Sequence, residues 1–431
     1  MRRLLWVVLA AGAACSDVSK VEPGPTDGFY RPMGIGVYAG KLVVASSNAD
    51  LRYDSATGGS VISVDPVSGQ LRGGLNIESF AGQMAVAEPS ACAGIGADGL
   101  ALVPVRGADL LYLVQVGAGG GLTCNGCGVA LGGKQFVDAF SVGVACSPAI
   151  PATPTDPGAP AVARAYVGYL RAVNGQAWIS EVDLASRTIR SSSYGIGQML
   201  GFAYDAERKR LYAAQSPQGI RWIDLAGDCH IDVAEVDGGC HGGATTLPPG
   251  LEAYAIALST PDPAFPVRRL YVLARVFDAE AASSAGVRAG DVDTLLLVTE
   301  LAEDLAGQMQ VHVLKEIPVG YGPAALKLLP ARAGRRDIVA ALAGDDPVLL
   351  LYDDDTDARF VVGRDGVGHA WVGSQPFGLA VDPVPAAGVA HVYVGSFLES
   401  FVTQIDVPLA EVNSTSLTPS GGLPRFRGGT P

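Results

Sequence analysis

The chain has 431 residues, 48% of them apolar and only 17% charged, and 56 are Gly and 28 Pro. That apolar fraction supports a large core and excludes global disorder, while so much glycine points to tight turns between short strands. A net charge of −13 and a pI near 4.8 argue against nucleic acid, whose binding rests on basic patches, and against electrostatic docking on anionic lipid.

The N-terminus begins with Arg2 and Arg3, then the apolar run Leu4 to Ala14, too short to span a bilayer. Gly12-Ala13-Ala14 sets small residues directly before Cys15, the pattern of an export signal. With Cys15 in that place the segment resembles a bacterial lipoprotein signal, although Gly12 stands where that family usually has Leu. The resemblance implies that residues 1–14 are removed, that Cys15 is lipidated and that residues 15–28 form a tether. Ser16, not Asp, follows the Cys, which in that family favours the outer membrane, with the chain facing the periplasm or the cell surface. The alternative is an ordinary cleaved signal with an incidental Cys.

From residue 29 onward one pattern recurs. The first unit has Pro32-Met-Gly-Ile-Gly-Val37, Lys41-Leu-Val-Val-Ala-Ser46 and Gly59-Ser-Val-Ile-Ser-Val-Asp-Pro66. Met84–Ala87, Ala101–Val105 and Leu110–Val116 form a second unit, and Phe140–Ala145, Ala163–Tyr169 and Trp178–Leu184 a third. The fourth is again clear: Gly201-Phe-Ala-Tyr-Asp205, Arg210-Leu-Tyr-Ala-Ala214 and Gly219-Ile-Arg-Trp-Ile-Asp-Leu225. Tyr254–Leu258, Arg269–Ala274 and Thr294–Leu301 make a fifth; Ala324–Leu329, Asp337–Leu342 and Val348–Tyr352 a sixth. The seventh has Gln375-Pro-Phe-Gly-Leu-Ala-Val-Asp-Pro383, His391-Val-Tyr-Val-Gly-Ser396 and Phe401-Val-Thr-Gln-Ile-Asp-Val407.

Sheets this small cannot bury both faces alone, but sheets packed radially can. The expected fold is all-β, a seven-bladed β-propeller of short four-stranded antiparallel sheets over residues 29–407. The tail, 408–431, is a candidate for ring closure, as is the segment Val21 to Tyr30. Small residues at Gly34, Ala45, Gly201, Ala213, Ala214 and Gly395 suit close approach near the axis. Asp278–Gly290 is the longest helical candidate and reads as a short loop helix. Units one, four and seven resemble the YVTN-type propeller repeat, in which a P-x-G-[IL]-A-V-like strand precedes [LV]-Y-V-like and I-D-like strands. The stretch Ser47-Asn-Ala-Asp-Leu-Arg-Tyr-Asp54 also looks like a loop of secreted bacterial propeller lipoproteins, mostly of unassigned function.

Six Cys remain in the exported body, so three disulfides are the default outside the cytoplasm. Cys229 and Cys240 are the foremost pair, and closing so short a loop contributes about 2–3 kcal/mol. Cys92, Cys124, Cys127 and Cys146 allow three pairings, with a four-Cys zinc site as the rival. Asp353-Asp-Asp-Thr-Asp357 has carboxylates at alternate positions but lacks the Gly and final Glu of a calcium loop, so it reads as a solvated acidic turn. The five His show no paired metal spacing, and no nucleophile elbow, Walker loop or dinucleotide fingerprint occurs. No metal, cofactor or catalytic residue is therefore assigned.

In a propeller the loops joining strands two and three share a face with those entering the next blade. The repeat puts Asn48, Asp50, Arg52, Tyr53 and Asp54 on this face, joined by Arg171, Asn174, Arg275, Asp278 and Glu399 from other units. They read as a polar pocket with Arg for anionic groups; the alternative is that Asp50 and Arg52 pair locally and brace a long loop. The functional expectation is a lipid-anchored envelope module, a monomer, that binds a protein, peptide or glycan without catalysis. A lactonase- or hydrolase-like enzyme with its site at the central channel is the alternative, since fold does not decide between them. A structural surface protein is a third reading.

Overall fold

The computed structural model describes residues 26–47, 58–89, 95–106, 108–132, 138–147, 162–171, 175–217, 219–225, 229–231, 242–277, 293–303, 309–363, 372–384 and 388–410. Among the described residues all 28 regular elements are strands, in seven sheets.

The first sheet is β1 (Pro32–Tyr38), β2 (Lys41–Ser46), β3 (Gly59–Val64) and β4 (Leu71–Ile77). The second is β5 (Ala85–Ala87), β6 (Gly99–Val105) and β7 (Leu110–Val116), where two short strands, β8 (Leu122–Thr123) and β9 (Gly128–Ala130), share the outer edge of β7. The third runs β10 (Ala139–Ser147), β11 (Val162–Tyr169), β12 (Gln176–Asp183) and β13 (Ile189–Ile196). The fourth is β14 (Gln198–Asp205), β15 (Arg210–Ser216), β16 (Gly219–Asp224) and β17 (Gly242–Thr245), and the fifth β18 (Leu251–Leu258), β19 (Arg269–Val276), β20 (Thr294–Glu303) and β21 (Met309–Gly320). The sixth is β22 (Pro323–Leu328), β23 (Ile338–Ala343), β24 (Val348–Asp353) and β25 (Ala358–Val362). The last has β26 (Pro376–Val381), β27 (Val389–Ser396) and β28 (Phe401–Pro408). Every pairing is between strands adjacent in sequence and antiparallel, save the β7–β9 pair across the short β8. The seven units read from the sequence are the seven blades, with the second carrying an extra outer strand and the seventh showing three among the described residues.

The three inner strands of the blades are more buried than the outer ones, because neighbouring sheets cover both of their faces. β2, β6, β15, β23 and β24 are almost wholly buried, and unbroken Val, Leu, Ala and Ile suit that position. Outer strands alternate: β4 and β25 have every other residue exposed. Close approach at the inner strands is real. A Cβ on Gly34 would lie 2.7 Å from Met84 Cβ of the next blade, and one on Gly395 would lie 2.7 Å from Ile35 Cδ1.

The segment before β1 closes the ring. Phe29 is fully buried in one cluster with Leu42 and Ile62 of the first blade and Ala380, Tyr393 and Val402 of the seventh. Arg31 Nη1 donates to Leu398 O at 2.7 Å and to Phe397 O at 3.3 Å, and Arg31 N donates to Ser400 Oγ at 3.3 Å. Residues 29–31 thus help stitch the seventh blade to the first; residues 21–25 of the one closure candidate and the tail beyond 410 of the other lie outside the described residues.

Candidate functional site

Four of the blades enter their inner strand through a tied corner. The backbone N–H after the second strand donates to the carbonyl of an entry residue: Ser47 to Arg31, Arg106 to Phe80, Leu170 to Asp138 and Phe397 to Gln375, at 2.9 to 3.1 Å. All four entry residues have positive φ. The bond that fixes the corner thus holds a backbone conformation that L-residues seldom adopt. These corners make one face of the ring, the loop face; the turns between first and second strands make the opposite, hairpin face.

Just past the entry, six inner strands carry a bulge, which inserts one extra residue and re-aims its side chain. The extra residues are Met33, Phe140, Leu200, Tyr254, Ala324 and Phe377. Five of them meet in one cluster with Leu170 and Phe397. Phe140 meets Tyr254 edge-on with ring centres 6.5 Å apart, and Phe377 meets Phe397 at 5.7 Å, geometries that aromatic quadrupoles favour. Arg31 stacks over Phe397. In the remaining blade Gln83 reaches across the axis, its Nε2 donating to Ala324 O at 2.7 Å. All seven blades therefore contribute to a plug that narrows the axial channel at the loop face. Burial in this plug pushes the Tyr254 hydroxyl up to about 12, against the pull of Arg106 and Arg275. The sequence repeat placed the inner strands at 33, 84, 140, 201, 254, 324 and 377. The signal for the plug was thus present, as large side chains recurring at strand starts, but only the bulge turns them toward the axis.

Of the residues expected on the loop face, Asn48, Asp50, Arg52, Tyr53, Asp54, Asn174 and Asp278 lie outside the described residues, as do Cys15 and the helical candidate 278–290. Arg171, Arg275 and Glu399 are on the face, but in separate blades and each engaged locally. Arg171 Nε is 2.7 Å from Asp138 Oδ2, and Asp138 also holds Arg106 at 3.3 Å. Arg275 leans toward Asp293 at 3.9 Å. Glu399 accepts from Ser374 N, Ser374 Oγ and Ser396 Oγ at 3.1 to 3.2 Å, folding its own loop back. Arg171 and Arg275 leave most of their side chains in solvent. Four large apolar residues missed in the sequence share this face: Ile196, Phe277, Tyr321 and Leu398 are exposed at blade corners.

Cys124 and Cys127 are joined in a disulfide, which removes two ligands from the zinc alternative. Cys229 is also disulfide-bonded; Cys92 and Cys240 lie outside the described residues. His230, beside Cys229, pairs through Nδ1 with Glu181 at 2.5 Å, and Arg164 lies 3.7 Å from the same carboxylate.

The acidic turn differs from expectation. Asp353 and Asp354 are buried, not solvated. Arg332 binds Asp353 through both of its terminal nitrogens at 2.6 and 2.9 Å, while Asp354 accepts from Tyr271 at 2.8 Å and pairs with Arg269. Asp357 is held by Lys315 at 3.0 Å. Of the three carboxylates at alternate positions, Asp355 and Asp357 are exposed, as a solvated turn requires, and Asp353 alone is buried, matched by Arg332 of its own blade.

No protein-family profile matches the chain, and no curated protein sequence matches it. Solved structures do. A chain of Kuenenia stuttgartiensis hydrazine synthase matches with a TM-score of 0.52 at 13% identity, over 89% of this chain and 98% of that one. Chaetomium thermophilum Sqt1 matches with a TM-score of 0.50 at 11% identity, over 92% and 88%. The Dos1 propeller gives 0.47 at 10%, over 86% and 92%. At such identities the likeness is one of fold alone.

Proposed function

We propose that this chain is a lipid-anchored β-propeller of the bacterial cell envelope that binds a protein or peptide through its loop face and performs no chemistry of its own. The observation that carries the proposal is the make-up of that face. Ile196, Phe277, Tyr321 and Leu398 are exposed there, with the guanidinium groups of Arg171 and Arg275 largely in solvent. Aromatic residues and Arg are the types enriched where proteins meet proteins, and they supply most hot spots. The plug behind them makes the centre of the face a firm apolar floor. A lactonase- or hydrolase-like enzyme needs acids and imidazoles converging on the channel; among the described residues the polar side chains on the axial wall are Gln83, Ser141 and Lys327, with neither an acid nor an imidazole beside them. The YVTN-type resemblance and the Cys15 signal support an exported, anchored module.

Two variants test this in the envelope of a producing cell. Cys15→Ser is expected to leave the membrane pellet; its retention there would refute the anchor. A triple Phe277→Ser, Tyr321→Ser, Leu398→Ser variant is expected to stay anchored and folded yet lose at least tenfold of its co-purified partner. Val67→Ser with Val384→Ser, on exposed hairpin-face turns, is expected to keep it. Equal partner recovery from both sets would refute the loop-face reading.

A further inference from the structure

On the hairpin face the turns of the fifth and sixth blades are both drawn out. Residues 259–268 join β18 to β19 and residues 329–337 join β22 to β23, where the first blade uses only Ala39 and Gly40 and the fourth only 206–209. The two long turns face each other across the seam and are latched together. Asp262 Oδ2 accepts from Gly334 N at 2.9 Å, and the two carboxyl oxygens of Asp337 accept from Thr260 N at 3.4 and 3.3 Å. Between the turns lies a cleft of about 280 Å³ whose wall is more apolar than polar. Pro261, Phe265, Val267, Ala331 and Ala333 supply its hydrocarbon surface, and Val267 is exposed. For scale, an apolar cavity of about 150 Å³ holds a benzene ring.

Three arginines of the second turn line this cleft, and they differ in what holds them. Arg332 is spent, because Asp353 takes both of its terminal nitrogens and Arg336 O takes one of them again. Arg335 donates to Ala410 O at 2.8 Å and lies 3.8 Å from Asp355. Arg336 is half-buried, and no acid or hydrogen-bond acceptor among the described residues meets its guanidinium. It reaches across the seam instead and lies over the face of Phe265, 4.4 Å from the ring centre. Stacking of this kind pins a guanidinium while leaving its N–H groups for a second partner. A pinned fork with its donors unspent matches a carboxylate through two parallel hydrogen bonds. The carboxylates of Asp262 and Asp337, committed to the opposite turn, limit the charge that fits: they disfavour a doubly negative phosphate and leave a single negative charge as the better match.

We propose that this cleft binds a small organic monocarboxylate with a ring-sized hydrocarbon body, its carboxylate paired to Arg336 and its body against Val267, Pro261 and the two alanines. The stack on Phe265 and the latches between the turns hold the cleft in shape before the ligand arrives, which lowers the cost of binding. A ligand seated there touches the turns of two blades at once. The site lies on the face opposite the proposed protein partner and stands or falls independently of it.

Titration calorimetry of the protein purified from a producing cell, with sodium phenylacetate as the probe, tests it. Saturable binding with a dissociation constant on the order of 1 mM is expected for a ligand of this size. Phenylacetamide, which has the same shape without the charge, is expected to bind at least about tenfold more weakly. Arg336→Gln is expected to lose at least about tenfold in phenylacetate affinity while melting close to the parent, since no acid is left unpaired by the change. Phe265→Leu removes the ring beneath the guanidinium and is expected to weaken binding as well, which keeps the test open should the Arg336 variant not fold. The proposal is overturned if phenylacetate shows no saturable binding to the parent chain, if phenylacetamide binds equally well, or if either folded variant keeps the parent's affinity.

Discussion

At the scale of single residues, Asp109 shows how position overrides composition. It sits in the turn between β6 and β7 with φ of 51°, a conformation that Asp tolerates better than most L-residues. The turn also buries it, and neither carboxyl oxygen has a hydrogen-bond partner in the protein. Burial raises the carboxyl from 3.8 to about 7. The native state therefore holds this proton more tightly than the unfolded chain. Its contribution to stability is full below about pH 4, declines between pH 4 and 7, and is lost above. Asn keeps the shape and the left-handed backbone without the charge. Asp109→Asn is expected to stabilise the protein by about 1–2 kcal/mol at pH 8 and by nothing measurable near pH 4. That is less than the full shift would give at about 1.4 kcal/mol per unit, because water reaches a turn at the rim of the ring. Urea unfolding at the two pH values checks this, and equal effects at both would contradict it. Nothing in the sequence marks Asp109, since Arg106-Gly-Ala-Asp109 reads as an ordinary solvated turn; its burial, close enough to Tyr169 for the hydroxyl there to feel its charge, comes from the tertiary fold.

At the scale of strands and seams, the legible elements were those whose burial is uniform. The three inner strands of each blade appear in the sequence as short apolar runs because both faces of each sheet are covered. The outer strands were not legible: Leu71-Arg-Gly-Gly-Leu-Asn-Ile77 and Ile189-Arg-Ser-Ser-Ser-Tyr-Gly-Ile196 mix exposed polar residues with Gly, and their strand character comes from pairing to β3 and β12. In the acidic turn after β24, Asp355 and Asp357 are solvent-exposed as the sequence implies, whereas Asp353 and Asp354 are not, for a related reason. A run of Asp implies solvent until the opposing cations are known, and these come from Arg332 in the same blade and Arg269 in the fifth. Burial raises the Asp353 pKa, but the hydrogen bonds and charge of Arg332 outweigh it and hold the group below its ordinary value. That contribution to stability is present above about pH 4 and is lost as pH falls below. Arg332→Met leaves Asp353 buried without its partner and is expected to cost about 3–5 kcal/mol, whereas adding Asp353→Leu is expected to recover much of it. Thermal unfolding of the two variants reads the difference; a double variant no more stable than the single one would contradict the pairing account.

At the scale of the molecule, the repeat made the number of blades and their order readable, but not the closure or the channel. At the closure β1 packs on the seventh blade through Ile35 and Val37, and Phe29 and Arg31, two residues without repeat character, add contacts to it. The plug depends on bulges, which leave no composition signal of their own. Much of the polar loop set expected to bind a ligand lies outside the described residues, and the three described members brace their own loops. What the face offers instead is a ring of exposed apolar corners around a filled centre, and the proposed partner docks on that rim. Photo-crosslinking in intact cells tests this most directly, with a photoreactive residue placed singly at Ile196, Tyr321 and Leu398 on the loop face and at Val67 and Val384 on the hairpin face. The expected result is one discrete protein adduct of the same size from the three loop-face positions and none from the two hairpin-face positions. No adduct from the loop face, or the same adduct from both faces, would contradict a partner-binding loop face.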